Sequence, residues 1–137
     1  MHRSRVRAVM FGVVTAVVAL VWALPALAHT TANKASTVTV TAGKPSEFKF
    51  TLSPKSVAHG AVTFKVTNKG NVPHDFKVCS KAGNTTALTC AGKGTPLINA
   101  GASATLKITF TKAGTYEYLC SVPGHAAAGM KGALKVT

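Results

Sequence analysis

The sequence contains few acidic residues, with three Asp and Glu against 16 Lys and Arg in 137 residues. All three arginines lie before position 8, so residues 29–137 carry 13 lysines, three acids and a formal charge of +10. This charge favours partners with an acidic docking surface or an anionic membrane surface, although lysines can also serve only to keep a surface solvated. The lack of arginine in an exported domain argues against a nucleic-acid partner.

Cysteine is also scarce, and its number is odd. An exported chain with three cysteines has one left over after a disulfide forms. Cys79 and Cys90 bracket a loop rich in Gly, Asn and Thr, and we predict that they pair, which would contribute about 3 kcal/mol in the chain-entropy model. Cys120 is then the unpaired thiol, which is either buried and inert or bound to a metal.

The first 28 residues have the pattern of a secretory signal peptide. A basic start is followed by an apolar run over residues 10–27 and by a small-x-small cleavage site at residues 26–28. The alternative is an uncleaved membrane anchor, because the run is close to the minimum length that spans a bilayer. No two arginines are adjacent, so a twin-arginine signal is not supported. We predict a periplasmic or extracellular protein, membrane-associated if the segment is retained.

The remaining chain predicts one all-β domain. Residues 29–35 read as a flexible lead, and from residue 36 to residue 137 apolar and polar residues alternate in short segments separated by Gly, Pro and Asn turns. This period of two, with many β-branched and aromatic residues, is typical of half-buried strands in a β-sandwich. The alternating sets are Val38 and Val40; Phe48, Phe50 and Leu52; Val62, Phe64 and Val66; Phe76 and Val78; and Leu106, Ile108 and Phe110.

Three potential metal ligands are spaced evenly near the C-terminus. Cys120, His125 and Met130 are each separated from the next by four residues, and His74 lies just after a turn at the start of a predicted strand. Thiol, imidazole and thioether groups suit copper better than magnesium or calcium, which prefer oxygen. In a Greek-key sandwich these strand ends can meet at one pole. Two imidazoles, a thiolate and a weak axial methionine form an electron-transfer copper site.

These motifs resemble the cupredoxins, the small blue copper proteins of the plastocyanin and azurin superfamily. The matching residues are Asn71 and His74 with Asp75-Phe76 after them, and Tyr118-Leu-Cys120 followed by His125, Met130 and Gly132. The two four-residue gaps are closer to the phytocyanin and sulfocyanin groups than to plastocyanin or azurin. The resemblance implies a Greek-key β-sandwich of seven or eight strands that binds one type 1 copper ion. It implies His74, Cys120 and His125 as strong ligands and Met130 as the axial one.

Two neighbours of the ligands are expected to support them. Asp75 is placed to accept hydrogen bonds from the ligand loop near Ser121, and Pro123 stiffens that loop while removing one N–H donor. We expect a one-electron carrier; the alternative is a copper chaperone or scavenger. An enzyme is not expected, because a multicopper enzyme needs more than the five histidines present and a cytochrome oxidase copper domain needs two cysteines in the loop.

Overall fold

The computed structural model describes residues 35–82 and 91–137, with residues 80–82 described by their backbone alone. These residues form nine β-strands and no helix. The strands are β1 (Ser36–Ala42), β2 (Phe50–Ser53), β3 (Ser56–Val57), β4 (Gly60–Asn68), β5 (Lys77–Ala82), β6 (Gly92–Gly94), β7 (Ser103–Phe110), β8 (Gly114–Leu119) and β9 (Lys131–Val136).

The strands form two sheets. One has the order β2-β1-β4-β7 and the other has the order β3-β9-β8-β5-β6. The chain crosses between the sheets several times, and β1 runs parallel to β4 while most other pairs are antiparallel. The predicted Greek-key β-sandwich is confirmed. The described residues form nine strands where seven or eight were predicted. β3 and β6 have only two and three residues, which is too short to produce an alternating pattern in the sequence.

The core between the sheets is built from the alternating apolar residues. Val38 and Val40 of β1 are fully buried, and so is Phe64 of β4, while the residues between them on each strand face outward. Burying this apolar surface is the main favourable contribution to folding. Aromatic rings fill the end of the core nearest the predicted ligands, where Phe76 contacts Phe50 and Tyr118 at centroid distances of 5.2 and 5.4 Å.

One predicted strand is shorter than its alternation suggests. Phe48 alternates with Phe50 and Leu52, but β2 begins only at Phe50. The reason is a turn, because the N–H of Lys49 donates to the carbonyl of Ser46 at 3.2 Å and the chain cannot extend there. Phe48 is therefore 37% exposed on the loop between β1 and β2.

Some predictions fall on residues that the structure does not describe. The predicted signal segment 1–28 and nearly all of the lead 29–35 lie outside the described residues, as does Cys90. The Cys79–Cys90 disulfide therefore stays a prediction; Cys79 itself is buried on β5. Within the described ranges, no helix has the length and apolar character to cross a membrane.

Candidate metal centre

His74 is held at one pole of the sandwich by its backbone. It lies between β4 and β5, where its N–H donates to the carbonyl of Ile98 at 3.1 Å and the N–H of Ile98 donates back at 2.7 Å. This isolated antiparallel bridge fixes the position of the residue. The side chain is fully buried.

Asn68, which the sequence analysis did not single out, shapes the loop that leads to His74. Its side-chain amide donates to the carbonyls of Val72 and Ile98 at 2.8 and 2.9 Å, and its side-chain oxygen accepts the N–H of Gly70 at 2.9 Å. Asn68 is fully buried, so each of these bonds replaces one that water would otherwise make. The loop therefore has one defined path.

The segment from Cys120 to Met130 closes on itself. The N–H of Cys120 donates to the carbonyl of Met130 at 3.0 Å, and the N–H of Met130 donates to the carbonyl of His125 at 2.9 Å. A further turn bond joins the N–H of His125 to the carbonyl of Val122 at 3.1 Å. The four-residue gaps thus form compact turns that bring the three side-chain positions together.

The two imidazoles and the thiol converge. Nδ1 of His74 lies 3.1 Å from Nδ1 of His125, and Sγ of Cys120 lies 4.0 and 3.5 Å from these two atoms. The point equidistant from all three is about 2 Å from each, close to the roughly 2.0–2.3 Å of metal–nitrogen and metal–sulfur bonds in zinc proteins. The spacing of the three atoms therefore matches that of a metal site.

Met130 lies in the same region. It is fully buried and forms a small apolar cluster with Cys120 and Ala42, against which Phe50 and Val122 pack. Its backbone contacts with Cys120 and His125 fix its place beside the triangle. Two imidazoles, a thiol and a thioether form a donor set that fits copper.

Burial dominates the chemistry of the thiol. Desolvation raises the pKa of Cys120 to about 11, although the backbone N–H groups of Asp75 and Val122 donate to its sulfur and oppose this rise. The thiol is thus neutral at neutral pH when no metal is bound, and binding a metal must displace its proton. Pro123, the residue after Val122, has no N–H to add a third donor.

His125 is the more accessible imidazole. Partial burial lowers its pKa, and the neighbouring His74 acts in the same direction. Both effects favour the neutral form of the ring, which is the form that binds metals. Around it Pro123 and Gly124 are exposed, and Ala126, the next residue, is buried.

Asp75 joins the two ligand-bearing segments. Its Oδ1 accepts the N–H of Ser121 at 2.5 Å, and its Oδ2 accepts the hydroxyl of Ser121. Asp75 follows His74 and Ser121 follows Cys120, so this contact fixes the spacing between two ligand positions. It is the contact that the position of Asp75 in the sequence predicts.

Besides Asn68, two residues on the loop between β1 and β2 contact the site although the sequence did not assign them to it. Oε1 of Glu47 lies 3.0 Å from Nε2 of His74. Hydrogen bonding, with the N–H of Asn71 as the largest contribution, lowers the pKa of Glu47 to about 2. The ring of Phe48 packs edge-on against that of His125 at a centroid distance of 4.9 Å. The scarcity of acids in this chain was the signal that could have pointed to Glu47.

Comparisons with known proteins agree with this donor set. A sequence profile described as copper-binding proteins of the plastocyanin/azurin family matches residues 31–137. Auracyanin-B of Chloroflexus aurantiacus is 49% identical over 43 residues, which cover 31% of this chain and 18% of that protein. The copper-resistant cuproprotein CopI of Rubrivivax gelatinosus is 34% identical over 88 residues, covering 55% of this chain and 51% of CopI. The chain thus spans about half or less of the curated relatives it matches.

Solved structures extend the similarity to most of the chain. An auracyanin B structure is 28% identical, with a TM-score of 0.59 over 75% of this chain and 89% of the other. Rusticyanin from Thiobacillus ferrooxidans is 25% identical, with a TM-score of 0.59 over 74% of this chain and 76% of the other. These two groups are not the ones that the ligand spacing suggested.

Proposed function

This chain belongs to the plastocyanin/azurin family of copper-binding proteins, and we propose that it carries single electrons. Copper is its cofactor and supplies the change between Cu(I) and Cu(II) that such a carrier needs. We assign the strong ligands to Nδ1 of His74, Nδ1 of His125 and Sγ of Cys120, and the weak axial ligand to Met130. The observation that carries this proposal is the convergence of the first three residues, whose ligand atoms lie within 4.8 Å of one another.

The surroundings suit a carrier better than a catalyst. His74, Cys120 and Met130 are fully buried, so the protein excludes water and substrates from three sides of the centre. Turn and bridge hydrogen bonds hold the ligand positions, which keeps them similar in both oxidation states. In the part of the chain that the structure describes, this is the one cluster of three or more potential His, Cys or carboxylate ligands. We therefore propose that the protein is not an enzyme.

We also propose that partners dock where His125 approaches the surface. Three large apolar side chains are exposed among the described residues, namely Phe48, Val72 and Leu97, and each lies near one of the two imidazoles in space or in sequence. The three acidic side chains contribute little free negative charge to the surface, because Glu47 and Asp75 accept hydrogen bonds and Glu117 is buried.

The exposed charge that remains belongs mainly to lysines, which favours a partner with an acidic surface; an anionic membrane surface is a further candidate. The rate of electron exchange with an acidic redox protein should therefore fall as salt is added. A rate independent of ionic strength would contradict charge-assisted docking.

Copper loading tests the proposal directly. The purified protein with added Cu(II) should show a strong visible absorption from the thiolate and a reversible one-electron wave in voltammetry. Cys120→Ser should lose the absorption, whereas Cys79 and Cys90 should not be needed for it. A colourless wild-type protein, or a colour that survives Cys120→Ser, would contradict the assignment.

A second candidate function is copper handling, which the name of the CopI relatives favours. A handling protein must release its metal, whereas a carrier must retain it in both oxidation states. A Cu(I) chelator added to the reduced protein distinguishes the two. Retention of copper over many redox cycles supports the carrier, and rapid transfer to the chelator supports handling.

Export remains part of the proposal. The predicted cleavage after Ala28 would give a protein that begins at His29, and mass spectrometry of the secreted form measures this directly. A mass that includes residues 1–28 would favour the membrane anchor instead. The same spectrum, recorded with and without reductant, tests the predicted disulfide between Cys79 and Cys90.

A further inference from the structure

Three consecutive residues of the loop between β1 and β2 reach three different parts of the metal centre. Glu47 contacts His74, Phe48 packs against His125, and Nζ of Lys49 lies 3.5 Å from the carbonyl of Gly129 in the ligand loop. This loop carries no predicted metal ligand. It nevertheless contacts both imidazoles: Glu47 meets Nε2 of His74, and the ring of Phe48 meets the ring of His125.

Both carboxylate oxygens of Glu47 accept hydrogen bonds from neighbouring groups. Oε1 accepts the backbone N–H groups of Asn71 and Val72 at 2.9 and 3.2 Å, and Oε2 accepts the side-chain amide of Asn71 at 3.2 Å. Oε1 also lies 3.0 Å from Nε2 of His74. Backbone N–H groups can only donate, so the group they surround is an acceptor.

An acceptor at Nε2 determines which nitrogen of His74 carries the proton. A carboxylate can only accept, so the hydrogen must be on Nε2. In the neutral ring Nδ1 is then unprotonated, and its lone pair is available on the side where Cys120 and His125 lie. A hydrogen bond from a ligand histidine to a carboxylate fixes the ring and makes it a stronger donor to a metal.

The backbone lies close to this contact. A Cβ atom placed on Gly70 would collide with Oε1 of Glu47 and would lie 3.0 Å from Nε2 of His74. A side chain at this position would therefore have to displace the carboxylate of Glu47. The backbone of Gly70 lies against one side of the hydrogen bond, while the side chain of Glu47 remains 25% exposed.

Phe48 performs a different task at the other imidazole. Its ring meets the ring of His125 at an interplanar angle of 62°, an edge-to-face arrangement that is favourable for aromatic pairs. The side chain of Phe48 is 37% exposed, so this contact covers part of His125 at the protein surface.

We propose that Glu47 and Phe48 are positioning residues for the copper centre: Glu47 sets the tautomer and orientation of His74, and Phe48 restrains and shields His125. The proposal rests on the proposed function in that both histidines are copper ligands. It adds that a loop outside the ligand segments controls how strongly each histidine binds. Glu47 acts through His74, and Phe48 acts through His125.

The metal-free protein provides the first test. In the wild type, the Nε2 proton of His74 should give a slowly exchanging downfield resonance in the proton NMR spectrum. Glu47→Gln keeps the size but has one acceptor oxygen for several donors, so the resonance should move upfield and exchange faster. Gly70→Ala keeps every charge and displaces the carboxylate, so it should act in the same direction. An identical resonance in both variants, or none in the wild type, would overturn the role of Glu47.

The copper-loaded protein provides the second test. Loss of such a hydrogen-bonded partner lowers metal affinity about 10- to 100-fold. A tenfold loss confined to Cu(II) raises a one-electron reduction potential by about 59 mV, and we expect a rise of this order in Glu47→Gln. Glu117→Gln makes the same chemical change on β8 with no contact to His74, and it should raise the potential less than Glu47→Gln does. Equal potentials in the wild type and Glu47→Gln would contradict the proposal.

Phe48 is tested by the rate at which copper is lost to a chelator. Phe48→Ala should increase this rate by roughly 10-fold, because solvent and chelator gain access to His125. Ile108→Ala shortens a half-buried apolar side chain on β7, a strand that carries no predicted ligand, and serves as the control. Equal rates in the two variants would overturn the role of Phe48. If the wild type binds no copper, the proposed function fails, while the NMR test of Glu47 still stands.

Discussion

The contact between Asp75 and Ser121 should contribute measurably to the stability of the metal-free protein. Ser121 donates two hydrogen bonds to the carboxylate, one from its N–H and one from its hydroxyl. A hydrogen bond to a charged group contributes about 1.5–3 kcal/mol, and values at the low end apply because Ser121 is exposed. We therefore expect Asp75→Ala to lower the free energy of unfolding by about 2 kcal/mol, since water can replace part of what is lost.

A double-mutant cycle separates this contact from other effects of the substitutions. Ser121→Ala removes only the hydroxyl bond and should cost about 1 kcal/mol in the wild type. In the Asp75→Ala background the same change should cost nearly nothing, which gives a coupling energy of about 1 kcal/mol. Asp75→Asn keeps the shape and loses the charge, so its effect should lie between those of wild type and Asp75→Ala.

Urea denaturation of the metal-free protein at neutral pH is the appropriate measurement, because bound metal would add its own stabilisation. Ser103→Ala is the matched control. Its hydroxyl bonds that of Thr67 at 2.9 Å, a contact between neutral groups that does not involve Asp75. Its cost should be the same in both backgrounds. If Ser121→Ala lowers the free energy of unfolding by the same amount with and without Asp75, the contact does not join the two segments.

Three further predictions concern buried groups. Burial raises the pKa of Cys120 to about 11, so the unfolded chain loses the thiol proton at a lower pH than the folded protein does. The metal-free protein should therefore lose stability as the pH rises from about 9 to 11. Cys120→Ala should remove this part of the pH dependence in urea titrations. Met130→Leu nearly conserves the volume and should change metal-free stability by less than about 1.5 kcal/mol, while it alters the visible spectrum of the copper-loaded protein. Asn68→Ala removes the partner of the Val72 carbonyl and of the Gly70 N–H, while the carbonyl of Ile98 keeps the N–H of His74, and it should cost about 1–3 kcal/mol in thermal or urea unfolding.

The fold was predictable because its alternation is regular wherever a strand is buried on one face. Val62, Phe64 and Val66 of β4 are buried, and the residues between them are more exposed, as a period of two requires. Short strands such as β3 offer only one buried residue and cannot be read in this way. At Phe48 the alternation predicts a strand that does not form, because a local turn holds this residue in a loop and β2 begins only at Phe50.

The ligand set was predictable for a chemical reason. Thiol, imidazole and thioether side chains close together in the sequence have few common uses other than binding a soft metal, and His74 was the histidine that a strand end could bring to them. The supporting residues carry no such chemical signature. Asn68 acts through backbone groups, and Glu47 acts across 27 positions of sequence, so only the fold places either of them at the centre.

The two imidazoles differ in a way that bears on how an electron would enter. His74 is fully buried, and its outer nitrogen is occupied by Glu47 under the backbone of Gly70, so the protein closes that side. His125 is only partly buried, and one phenyl ring covers its edge. A partner that docks at Phe48 therefore comes within a single ring of His125, whereas His74 can be reached only through the protein. Under the proposed function, this asymmetry assigns electron exchange to His125 and assigns to His74 the role of holding the metal.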